Sequence, residues 1–69
     1  MPDRLLTKLK ERRTELGLTQ AELAERVGVT RKTVNTVENG VFVPSTILAL
    51  KLATALNRSV EELFSVIEN

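Results

Sequence analysis

Sixty-nine residues with neither cysteine nor histidine predict one small domain, stabilised by packed aliphatic side chains rather than by disulfides or a structural zinc. That composition removes thiol nucleophiles, imidazole bases and the usual zinc ligands, and no apolar run approaches the roughly 18 residues of a membrane span. Net charge is only +1, but it is unevenly spread. Residues 1–35 hold eight bases and five acids, residues 36–69 two bases and four acids. No acid falls between Glu25 and Glu38, a window that contains Arg26, Arg31 and Lys32. A positive face of this kind suits a polyanion. Met1–Leu6 lacks a signal-peptide pattern and the absence of cysteine fits a reducing compartment, so the expected location is cytoplasmic.

In chain order, Arg4–Leu16 carries Leu5, Leu6, Leu9 and Leu16 at helical rather than alternating spacing and predicts a first helix, ended by Gly17 as a left-handed cap. Thr19-Gln20-Ala21-Glu22 reads as a capping box opening a second helix, with Leu23, Ala24 and Val27 inward and Gly28 as its stop. Thr30 caps a third helix whose Val34 and Val37 face inward, closed by Asn39-Gly40. Pro44 disfavours helix at Val43 and makes residues 41–44 a loop. Ser45 opens a fourth helix through Leu56, with Leu48, Ala49, Leu52, Ala53 and Leu56 at core spacing. Ser59-Val60-Glu61-Glu62 is a second capping box, starting a short fifth helix that buries Val60, Leu63 and Phe64. The tail, residues 65–69, either continues that helix or forms an extended edge. The fold class is therefore all-α. The hydroxyls of Thr19, Ser45 and Ser59 are read as caps, and Lys8, Lys10 and Arg12 as surface charge.

Residues 20–39 place two helices about a turn of roughly four residues. Ala24 permits their close crossing, and Gly28 supplies the positive φ that the turn needs. This is a helix-turn-helix, whose second helix (residues 30–39) is free to enter the major groove.

The string GLTQAELAERVGVTRKTVNTVENG, followed by PSTILALKLATALNRSVEELF, resembles the phage-repressor type (Cro/XRE) of helix-turn-helix regulator over roughly residues 5–64. The resemblance implies a bundle of about five helices acting as a homodimeric repressor on a palindromic operator in double-stranded DNA. It implies that Gln20 bonds a phosphate and braces the recognition helix, and that Thr30, Arg31, Lys32, Asn35 and Thr36 face DNA, with Asn39 at that helix's end. On this reading Arg31 grips guanine O6 and N7, Lys32 takes a guanine or a phosphate, and Asn35 or Thr36 reaches adenine or a thymine methyl. The resemblance further implies a partly buried ion pair between Arg13 and Glu38.

Two departures from the family pattern stand out. Val41 replaces a Lys or Arg common after the Asn-Gly, and Ile47 stands where a polar residue is usual. Ile47, Leu63, Phe64, Val66 and Ile67 are accordingly the candidates for a dimer interface in the C-terminal third. No metal or cofactor is expected. Catalysis finds no glycine-rich phosphate loop and no paired acids flanking a pocket, so the competing reading is an antitoxin-like or adaptor protein whose main contacts are with protein.

Overall fold

Every hydroxyl expected to open a helix does so in the computed structural model, which describes residues 4–68. The elements in order are β1 (Arg4–Thr7), α1 (Leu9–Glu15), α2 (Gln20–Val27), α3 (Arg31–Glu38), α4 (Thr46–Leu56), α5 (Val60–Leu63) and β2 (Phe64–Ile67). Thr19 and Ser59 form complete capping boxes with Glu22 and Glu62, while Thr30 and Ser45 accept from the amides of Thr33 and Leu48. Each satisfies an amide that the first helical turn would leave orphaned. Gly28 ends α2 at φ 75°. A Cβ there would meet nothing within 4 Å, so the demand for glycine comes from the backbone angle and not from crowding.

The core is aliphatic. Leu9, Leu23, Leu52, Leu56, Leu63, Val34 and Val37 are essentially inaccessible, and Leu18 joins them from the turn between α1 and α2. Each such Leu or Val contributes about 1.5–3 kcal/mol by leaving water. With no disulfide available, this cluster carries the fold.

Two parts of the sequence reading need correction. The first helix is shorter than expected, because residues 4–7 form a strand rather than its first turn. β1 pairs antiparallel with β2, setting Arg4 opposite Ile67, Leu5 opposite Val66, Leu6 opposite Ser65 and Thr7 opposite Phe64. The junction is fixed on both sides: Lys8 N–H donates to Leu63 O (2.8 Å), and Leu9 N–H donates to the Thr7 hydroxyl (3.0 Å). Pairing with a distant segment satisfies backbone groups at both ends of the described chain, and that outweighs a leucine spacing that fits a helix locally. The tail therefore takes the extended alternative; Asn69, its last residue, lies outside the described residues. The architecture remains a helical bundle, with a two-stranded sheet as a small addition.

Arg12 is the second correction. It is not solvated surface charge: its side chain is only 15% exposed, and its Nε donates to Leu56 O at 2.8 Å. A cation there satisfies one of the free carbonyls at the end of α4 and lies at the negative pole of that helix.

Candidate nucleic-acid interface

The interface grows from a buried charge. Arg13, on α1, is 8% exposed, and the Glu38 side chain at the end of α3 is 1% exposed. Arg13 Nε donates to Glu38 Oε2 at 2.5 Å, Nη2 to Oε1 at 3.2 Å, and Nη1 to the carbonyl of Leu18 at 2.7 Å. A forked contact of this type fixes orientation as well as distance. It ties α1, the α1–α2 turn and α3 into one unit, and so sets the angle at which α3 leaves the body.

Gln20, the first residue of α2, continues the network outward. Its Nε2 donates to Glu38 Oε1 (3.0 Å) and to Asn35 Oδ1 (3.2 Å), and Asn39 Nδ2 reaches the same Asn35 oxygen at 3.3 Å. The amide protons of Gln20 are thus both held within the protein. Its bracing of α3 is direct, whereas a phosphate would have to be met by another of its atoms or by rearrangement.

Gln20, Thr30, Arg31, Lys32 and Asn35 line one concavity at the start of α3. Arg31, Lys32 and Asn35 are exposed. Among the described residues neither Arg31 nor Lys32 has an acidic side chain within salt-bridge distance, whereas Arg12, Arg13 and Arg58 each do. Two unneutralised cations beside the free amides of a helix N-terminus form a ready seat for phosphates and for base edges. Thr30 caps α3, with its oxygen accepting from Thr33 N–H.

Thr36 and Asn39 stand apart from this concavity. Thr36 is half-buried; its hydroxyl donates to Thr33 O, and its carbonyl accepts from the amides of Val41 and Phe42. Asn39 is exposed at the far end of the helix. Sequence reasoning missed that Asn39 and Gln20 share one acceptor on Asn35. The i,i+4 spacing of Asn35 and Asn39 was the available signal.

A helix-turn-helix family model matches residues 9–63, the span from the first buried leucine to the last. The chain belongs to the Cro/phage-repressor (XRE) type of helix-turn-helix family. An HTH-type transcriptional regulator of Methanothermobacter thermautotrophicus is 53% identical over 64 residues, covering 91% of this chain and 93% of that protein. The HTH-type transcriptional regulator YgzD of Bacillus subtilis is 47% identical over 57 residues, covering 83% and 86%. Among solved structures, the restriction-modification controller protein C.AhdI of Aeromonas hydrophila superposes with a TM-score of 0.73 at 44% identity, covering 78% of this chain and 82% of that one. In this XRE-type regulator α2 and α3 both lie within the matched helix-turn-helix span.

The residues expected at a subunit interface separate into groups. Leu63 is 2% exposed and belongs to the chain's own core, so it cannot meet a partner in the folded protein. On the same short helix Val60 also packs against the core, half-buried. Phe64 is half-buried against the same core. Ile47, Val66 and Ile67 are exposed by 68%, 56% and 36%.

Proposed function

We propose that this protein is a repressor that binds a palindromic operator as a homodimer, inserting α3 into the major groove of each half-site. The observation that carries this reading is the concavity of Gln20, Thr30, Arg31, Lys32 and Asn35, with unpaired cations at the start of a helix held rigid by a buried ion pair. Arg31 is the guanine reader and Lys32 a guanine or phosphate contact, while Thr36 and Asn39 flank them. The protein acts by binding and not by catalysis. What supports this is the family, whose similar members are HTH-type transcriptional regulators.

A dimer follows from the size of the reading surface. A domain of this size covers only about 600–1,000 Å² of DNA, too little for strong specificity at cellular salt, so two copies must read adjacent turns. The sheet supports an interface away from α3. By strand alternation Leu5, Thr7, Phe64 and Val66 share the inner face of the β1–β2 pair. Leu5, Thr7 and Phe64 are half-buried, while Val66 lies beyond the core's cover, and Leu6 and Ile67 are exposed on the outer face. Apolar side chains at the open end of a two-stranded sheet are suited to a second copy. Selection of bound sequences from random DNA, followed by mobility shift on the recovered site at several salt concentrations, tests the whole reading. An inverted repeat bound at two protein chains per site is expected. A single asymmetric half-site bound by one chain would refute the dimer, and retention of no DNA would favour a protein-directed role.

A further inference from the structure

The polarity of the network behind α3 dictates which kind of base edge Asn35 can read. A guanidinium offers only donors and a carboxylate only acceptors, so the Arg13–Glu38 pair has one sense. Glu38 Oε1 accepts from Arg13 and also faces Gln20, which must therefore turn its amide nitrogen, not its oxygen, toward Glu38. The second proton of that nitrogen meets Asn35 at 3.2 Å, so Asn35 must present its oxygen inward. Asn39 Nδ2 donates to the same oxygen at 3.3 Å. Two donors occupy the two lone pairs of Asn35 Oδ1. What remains of the exposed Asn35 amide is its nitrogen, a donor with no acceptor assigned to it among the described residues.

We infer that Asn35 reads guanine in the major groove through its amide nitrogen, and that this choice is set from the buried Arg13–Glu38 pair by way of Gln20. The inference rests on the DNA-binding reading above. Asparagine is ordinarily suited to adenine, because its oxygen accepts from N6 while its nitrogen donates to N7. Here that oxygen is taken, and adenine N6 would meet a donor with a donor. Guanine places two acceptors, O6 and N7, side by side, and an NH2 group matches both. Gln20 is then a positioning residue for specificity: it touches no base, but it holds Asn35 in the orientation that favours guanine, with two acceptors, over adenine, which offers N7 alone beside a donor. This replaces the expectation that Asn35 reaches adenine or a thymine methyl.

The test uses the full chain and sequence selection from random DNA by the wild type and by Asn35→Ala. The base pair whose preference disappears in Asn35→Ala should be one at which the wild type requires guanine. Exchanging that guanine for adenine or for 7-deazaguanine should weaken wild-type binding roughly tenfold and leave Asn35→Ala little changed. Gln20→Ala frees a lone pair on Asn35 and takes one donor from Glu38, but removes neither contact of the Arg13–Glu38 pair. It should narrow the guanine-over-adenine ratio at that position, whatever it does to overall affinity. Any base other than guanine there, no effect of 7-deazaguanine, or an unchanged ratio in Gln20→Ala would overturn the inference. If the wild type selects no sequence at all, the DNA-binding reading fails, and this inference falls with it.

Discussion

Arg13 and Glu38 show how much a single buried pair can govern in a domain with so small a core. Removing one member strands the other, which costs about 3–5 kcal/mol for a buried pair. Glu38→Ala is expected near that range, since Arg13 is 8% exposed and would retain only the Leu18 carbonyl as partner. The variant should lose thermal stability and DNA affinity together, because the same contact orients α3. An unchanged melting midpoint by circular dichroism would show that the pair does not bear on stability. Arg31 acts differently, being exposed and outside the salt-bridge network. Arg31→Ala should leave the midpoint in place, lower specific affinity by about 1–3 kcal/mol and relax preference at one base pair. An equal loss on all DNA sequences, measured by competition, would make Arg31 a phosphate contact.

At the scale of elements, the capping boxes make stability sensitive to acid. The backbone N–H of Thr19, then its side chain, hold the Glu22 carboxyl below the usual carboxylate range, and Arg26 adds to this. Ser59 does the same for Glu62, with Arg58 and Arg12 assisting. A lowered pKa in the folded state means stabilisation that is present above the ordinary carboxylate pKa and lost as pH falls through the lowered value. Glu22→Gln with Glu62→Gln should therefore flatten the acid limb of a stability-versus-pH curve; an identical limb would dismiss these carboxylates as its source. The caps were also the most legible part of the sequence, since a hydroxyl followed three residues later by Glu is a local signal. The β1–β2 pair was not legible in the same way. Leu5, Leu6 and Leu9 fit a helical spacing, and only the distant segment Phe64–Ile67 decides for a strand. Arg12 was misread for a similar reason: its acceptor, Leu56 O, is 44 residues away. In the site, the family resemblance put Gln20, Thr30, Arg31, Lys32 and Asn35 together as candidates, and the structure gathers these five around one concavity. The sharing of one Asn35 oxygen was not, because it depends on side-chain orientation.

For the molecule as a whole, the sheet links stability to assembly. Ending the chain after Phe64 removes three of the four paired positions of β2 and leaves β1 a partner only at Thr7. The loss of these hydrogen bonds, each worth about 0.5–1.5 kcal/mol net, should lower the urea midpoint. Loss of Val66 and Ile67 should also shift sedimentation at micromolar concentration from dimer to monomer. Monomers for both chains, with equal operator affinity, would remove the sheet from the account of assembly.

The proposed function has α3, braced by Arg13, Glu38 and Gln20, read DNA sequence. Its most direct test is equilibrium binding of the full chain to its selected palindrome and to a scrambled duplex of the same composition, across a salt series. The palindrome should bind roughly a thousandfold tighter or more, and affinity for both should fall linearly in log–log form as salt rises. Equal affinity for the two duplexes at every salt concentration would contradict the claim.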